Sequence, residues 1–125
     1  MELCYRSSVN AWECDENDHM NVRFYVAKHV ETLRSWLLAN NLEGGDVSSM
    51  ITVQHIRFQR ESRLSAPLSG FACLLPSGTE IYTELRQSIT GEVLSSCIHT
   101  WAARLALEPV ALPEHGAPRG VAAQV

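Results

Sequence analysis

With 125 residues, the chain has room for one ordinary domain but not for a second independent core. Its 46% hydrophobic and 19% charged content is that of a globular protein rather than a disordered one. A formal net charge of −4 argues against a nucleic-acid binder, which needs a basic face, and no window reaches the roughly 20 apolar residues of a membrane helix. The opening residues, Met1 to Arg6, carry no apolar leader core, so a cytoplasmic protein is expected. Cys4, Cys14, Cys73 and Cys97 form no CxxC pair and read as reduced, packed thiols. Cys14 adjoins an acidic turn, but no basic neighbour is present to activate it.

Residues 3–13 read as a first strand, with small polar and apolar residues in extended alternation. A turn rich in acids and amides follows, Asp15-Glu16-Asn17-Asp18-His19-Met20-Asn21. The next segment, residues 21–40, is a helix. Val22, Val26, Val30, Leu33 and Leu37 recur at helical spacing, and Phe24, Tyr25, Trp36 and Leu38 add apolar surface beyond that stripe. So apolar a helix is expected to be more than half buried, with a sheet wrapped around it. Asn40-Asn41 and Gly44-Gly45 are suited to ending it.

Everything beyond reads as strand. Residues 47–59 are β-rich, Pro67 and Gly70 break the pattern, and residues 71–75 form a short strand before the Pro76-Ser77-Gly78 turn. Residues 79–90 alternate, with Ile81, Thr83, Leu85, Gln87 and Ile89 on one face. A hairpin at Gly91-Glu92 leads into a long strand over 93–107. Short turns between these strands imply an antiparallel meander. The expected organisation is one domain over residues 1–107, followed by a Pro-, Gly- and Ala-rich tail over 108–125 that drapes on the surface or stays poorly ordered. One sheet around one helix leaves a bare face and long edges, so pairing with a second copy across a two-fold axis is expected.

The acidic turn is the chemically informative stretch. A carboxylate just ahead of a helix N-terminus faces free backbone N–H groups and the positive end of the helix dipole. That combination polarises a carbonyl oxygen beside a nucleophile or base. The same residues also serve as turn formers and caps; Asp18 reads as the N-cap of the helix. An EF-hand beginning at Asp15 fails, because Met20 and Val26 occupy the positions of the glycine and the bidentate glutamate. No zinc spacing is present, and no metal is expected.

Asp15, the run His19-Met20-Asn21, and the aromatic Tyr25 resemble the hotdog-fold acyl-CoA thioesterases of the 4-hydroxybenzoyl-CoA thioesterase superfamily. The blocks His55-Ile56-Arg57-Phe58-Gln59-Arg60-Glu61 and Ala66-Pro67-Leu68 resemble that family's second strand and following turn. The resemblance implies an α+β hotdog fold, an antiparallel sheet around one long helix. It also implies hydrolysis of an acyl-CoA thioester with no cofactor, in a homodimer or a dimer of dimers. By the same resemblance Asp15 is nucleophile or general base, with His19 and Asn21 beside it. The backbone N–H of Val22 polarises the thioester oxygen, and Tyr25 shapes the substrate site. Asn21 either meets the thioester or caps the helix. Arg57, Arg60 and Arg63 either clamp coenzyme A phosphates or form a solvated strand end. The chain departs from the family at Asp18, where glycine is usual, and at Val22, where a second asparagine is common. Asp15-Glu16-Asn17 also begins like the motif of hotdog enoyl-CoA hydratases, but it lacks their proline and has its histidine one residue early. A non-catalytic acyl-CoA binding protein is the alternative outside the enzymes.

Overall fold

The computed structural model describes residues 1–42 and 47–113. The first strand, β1 (Glu2–Ser8), is shorter than expected, because residues 11–13 close into a 3-10 turn (Ala11–Glu13). The Glu13 carboxylate accepts the Asn10 backbone N–H at 2.8 Å, one half of a capping box, and that local bond favours a turn over an extended chain. Helix α1 (Val22–Ala39) matches its expected span. Asn21, not Asp18, is its N-cap: the Asn21 side chain accepts from the Arg23 N–H at 3.3 Å. At the other end Asn41 takes a left-handed conformation, with φ 58°. The Gly44-Gly45 pair lies outside the described residues.

Residues 47–59 divide into a single helical turn, α2 (Val47–Met50), and strand β2 (Ile51–Phe58). Strand β3 (Pro67–Leu74) starts earlier than expected and contains both supposed breakers. Pro67 is its first residue, where a missing N–H is tolerated. Gly70 lies beneath the helix: a Cβ there would stand 2.3 Å from Thr32 Oγ1 and 3.0 Å from Tyr5 Cβ. Glycine at 70 therefore marks a close approach of helix to sheet rather than a turn. Strand β4 (Glu80–Gln87) ends before the expected residue 90, because residues 88–90 form the turn, and β5 (Val93–Trp101) stops short of residue 107. After Trp101 the chain leaves the ladder, with the Ala102 N–H on the Met50 carbonyl and the Leu105 N–H on the Gly78 carbonyl.

All strand pairs are antiparallel, in the order β1-β3-β4-β5-β2, so β3-β4-β5 is the expected meander and β1 and β2 are the edges. Helix α1 packs across the inner face of this sheet. Its buried residues are Tyr25, Lys28, His29, Thr32, Leu33, Trp36 and Leu37. This face shares Leu33 and Leu37 with the apolar stripe but departs from it toward the N-terminus, where Val22 is left 56% exposed. Three polar side chains thus lie in the helix–sheet interface.

Two of them join a chain of hydrogen bonds whose directions follow from its ends. Ser95 Oγ donates to the Arg57 carbonyl at 2.9 Å, so it accepts from His29 Nε2 at 2.9 Å. Neutral His29 then accepts at Nδ1 from Thr83 Oγ1, 2.8 Å away. Thr83 in turn accepts from His99 Nε2 at 2.8 Å, and His99 Nδ1 accepts from Gln54 Nε2 at 3.0 Å. Every member has a donor and an acceptor role only if both histidines are uncharged. Burial, with His99 as a secondary cause, holds His29 well below the ordinary range, and burial brings His99 down to about 3.

The outer face of the sheet is covered by the segment after residue 107. The Val110 N–H bonds the Leu74 carbonyl at 2.7 Å, and Leu112 packs on Cys73, Leu75, Tyr82 and Ile98. The expected tail is thus surface-draped as far as residue 113; its remainder lies outside the described residues. Burial pushes the thiols of Cys73 and Cys97 up to about 11 and about 12, in keeping with packed, protonated cysteines. Among the described residues, no helix is long and apolar enough to cross a membrane.

Candidate active site

The turn between β1 and α1 is a closed loop. The Asp15 N–H donates to the His19 carbonyl at 2.9 Å and the Asp18 N–H to the Asp15 carbonyl at 3.1 Å. Asp15 Oδ1 accepts two further backbone N–H groups, from Asn17 at 2.9 Å and His19 at 3.2 Å. One carboxylate oxygen therefore builds the loop, and the other has no partner among the described residues. Asp18, with φ 60°, occupies the left-handed region that glycine adopts most easily. The substitution relative to the family pattern therefore leaves the turn in place. An aspartate tolerates that conformation where a β-branched residue does not. Asp18→Gly should change stability by no more than about 0.5 kcal/mol, whereas Asp18→Val should lower it by about 1–2 kcal/mol in urea denaturation.

Three contacts fasten the loop to the rest of the fold. The Asn21 N–H meets the Glu13 carbonyl at 2.6 Å, the Met20 N–H meets the Ser62 carbonyl at 2.8 Å, and the Leu64 N–H meets the Asp18 carbonyl at 3.0 Å. Residues 60–64, which follow β2, thus run against the turn. Buried Tyr25 clamps them from the helix side. Its hydroxyl accepts the Ser62 N–H at 2.8 Å and directs its proton to Ser62 Oγ at 3.1 Å and the Arg60 carbonyl at 3.3 Å. Tyr25 shapes the site by positioning this segment, and its ring meets Phe58 edge-on at 5.5 Å.

On the other side, Glu13 and Lys28 form a nearly buried ion pair of 3.1 Å. Lys28 Nζ also donates to Ser7 Oγ at 3.0 Å. Burial raises the Glu13 carboxyl, but the Asn10 backbone N–H and Lys28 more than offset it, and the net shift is downward. This pair ties the residue before the acidic turn to the second turn of α1. Removing one member strands the other charge, so Lys28→Met should cost about 3–5 kcal/mol, with a smaller loss in the double variant Glu13→Leu/Lys28→Met. Chemical denaturation of both variants measures this. The pair was absent from the sequence reading, although its signal was visible: Lys28 is the chain's single lysine and sits on an apolar helix.

Asp15, His19, Asn21, Val22 and Tyr25 border one cleft of about 440 Å³, together with Phe58, Arg60 and Glu61. The Val22 N–H, first of the helix, has no partner among the described residues, so it is free to bind an oxygen. The Asn21 side-chain oxygen is occupied by its cap bond. His19 Nδ1 pairs with Glu61 Oε2 at 3.0 Å, a partner that the sequence did not single out. An adjoining cleft of about 770 Å³ is bordered by Arg57, Arg60, Phe58 and Glu92. Arg60 is common to both clefts and lies 3.7 Å from Glu92. Arg63 borders neither, and its backbone pairs with His19 instead. Desolvation, then Asp18, Asp15 and Glu13, push the Cys14 thiol up, away from the reactive thiolate form.

No family model matches the chain, and no curated protein sequence matches it. Solved structures do. A 1,4-dihydroxy-2-naphthoyl-CoA thioesterase from Synechocystis, Slr0204, superposes with a TM-score of 0.64 at 18% identity, covering 98% of this chain and 92% of that one. The probable thioesterase YbaW from Escherichia coli gives 0.62 at 17% identity over 80% of both chains. A hypothetical thioesterase protein from Streptococcus pneumoniae gives 0.64 at 10% identity over 77% of both. The antiparallel sheet wrapped around α1 is therefore the hotdog fold that these structures share.

Proposed function

We propose that this chain hydrolyses an acyl-CoA thioester to the free acid and coenzyme A. One observation carries the reading: a carboxylate with a single free oxygen and an unpartnered helix N-terminal N–H border the same cleft, on a fold shared with thioesterases. The Val22 N–H donates to the thioester oxygen as negative charge develops on it, aided by the dipole of α1. Asp15 acts through its free oxygen as nucleophile or general base. The coenzyme A thiolate departs without a proton donor, so no Ser-His-Asp triad and no cofactor is required. Arg57 and Arg60 meet the phosphates in the adjoining cleft.

The working unit in this reading is a homodimer joined along β2, with pairing of two such dimers as a further step. Strand β2 is a sheet edge and exposes Val53 and Phe58, 46% and 45% accessible, and Phe58 borders both clefts. A thiol-release screen across aromatic, branched, short and long acyl-CoA esters tests the activity, starting from aromatic esters because Slr0204 is named for one. Thiol release supports the proposal. Loss of a crotonyl-type double bond without thiol release would instead indicate a hydratase, and saturable binding without turnover a carrier.

A further inference from the structure

We propose that Glu61 is a positioning residue that holds His19 in the Nδ1–H tautomer. His19 Nε2 then serves as the base that deprotonates the hydrolytic water. This rests on the thioesterase reading above, with Asp15 as the nucleophile. A carboxylate oxygen 3.0 Å from Nδ1 accepts a proton, so the proton of neutral His19 resides on Nδ1 and the lone pair on Nε2. Nε2 has no partner among the described residues. The Glu61 side chain is 75% exposed, but the backbone that carries it is tightly held. The Ser62 carbonyl receives the Met20 N–H, the Arg63 backbone pairs with His19, and the Tyr25 hydroxyl binds on both sides of Glu61. The carboxylate is thus presented to His19 from a fixed point, and both residues border the cleft that contains Asp15.

The chemistry calls for a second base. Oδ1 of Asp15 is committed to two loop amides, which leaves Oδ2 as its one free oxygen. Once Oδ2 bonds to the thioester carbon and the C–S bond breaks, coenzyme A leaves as thiolate and Asp15 is part of an anhydride. Neither of its oxygens is then basic. Water must attack the acyl carbon of that anhydride with another group taking its proton. His19 Nε2 takes it, the C–O bond to Asp15 breaks, and the Asp15 carboxylate is restored. The imidazolium then returns its proton to the thiolate, and the acid product ionises into solvent. The carboxylate behind Nδ1 orients the ring, as in other carboxylate–histidine pairs.

Three measurements test this on the full chain, with the ester most active in the screen. Glu61→Ala should lower kcat by about 10–100-fold while KM stays within about threefold, the usual size of an orienting effect. Its melting temperature should match the wild type, since the side chain is exposed. In a His19→Ala background, Glu61→Ala should cause no further loss, because a residue acting only through His19 has nothing left to act on. The ¹⁵N shifts of His19 should report the Nδ1–H tautomer in the wild type and its loss in Glu61→Ala. An active enzyme whose kcat is unchanged in Glu61→Ala, whose two losses multiply, or whose His19 is the Nε2–H tautomer overturns the proposal and leaves the thioesterase reading standing. A wild-type chain that releases no thiol from any ester overturns that reading, and the base role with it.

Discussion

Asp15→Asn is expected to lower thiol release by about 10²–10⁴-fold and to leave the fold intact. The two halves of that expectation come from the two carboxylate oxygens. Asparagine keeps an acceptor where Oδ1 binds the Asn17 and His19 N–H groups, so the loop survives. It replaces the free oxygen with an NH₂ group that neither attacks a carbonyl nor accepts a proton. Stopped thiol release with an unchanged melting temperature is the predicted pair of results. Near-wild-type turnover would remove Asp15 from the chemistry. A folding defect would instead mean that its main work is in the turn.

The second large effect is on stability in acid. His29 and His99 are both fully buried and held neutral by desolvation. A base whose pKa falls on folding binds its proton more readily in the unfolded chain. Stability from these two groups is therefore complete above the unfolded value of 6.5 and declines as pH falls toward about 3, where His99 titrates. His99 contributes about 1.4 kcal/mol per pH unit within that window, or about 2–3 kcal/mol between pH 6.5 and pH 4.5, and His29 acts in the same direction. The groups that face them are Thr83, Ser95, Gln54 and the Cys97 thiol, none of which is an anion that would hold a protonated ring. Urea midpoints from pH 7.5 to pH 4.5 measure the slope. His99→Gln should reduce it, and a flat profile would show that the histidines charge without opening the core.

The fold could be read from local pattern because most of its elements announce themselves locally. The amphipathic run after Asn21, the Pro76-Ser77-Gly78 and Gly91-Glu92 turns and the alternation around Ile81 to Leu85 each specify an element without help from distant residues. Asp15, His19, Val22 and Tyr25 do converge on one cleft, since the first helical turn holds them close in sequence and in space. What local pattern missed depends on a partner far along the chain. Gly70 looks like a break until Thr32 is seen against it. Glu61 looks like an ordinary surface acid until the 60–64 segment is laid beside His19. Asp18 looks like a cap until Asn21 is found in that role.

The helix face shows the division most clearly. Apolar spacing alone selected the stripe from Val22 to Leu37, because counting hydrophobic residues treats Lys28, His29 and Thr32 as solvent-facing. Tertiary structure buries all three, and two of them meet partners outside the helix: Glu13 for Lys28, Thr83 and Ser95 for His29. Thr32 instead bonds the Lys28 carbonyl of its own helix. The sequence by itself determined that there would be a buried helix, an antiparallel sheet around it and an acidic turn at its start. Only the packed fold decided which face is buried, since a polar side chain is stable inside only where its hydrogen bonds are met, and for Lys28 and His29 those partners lie outside the helix.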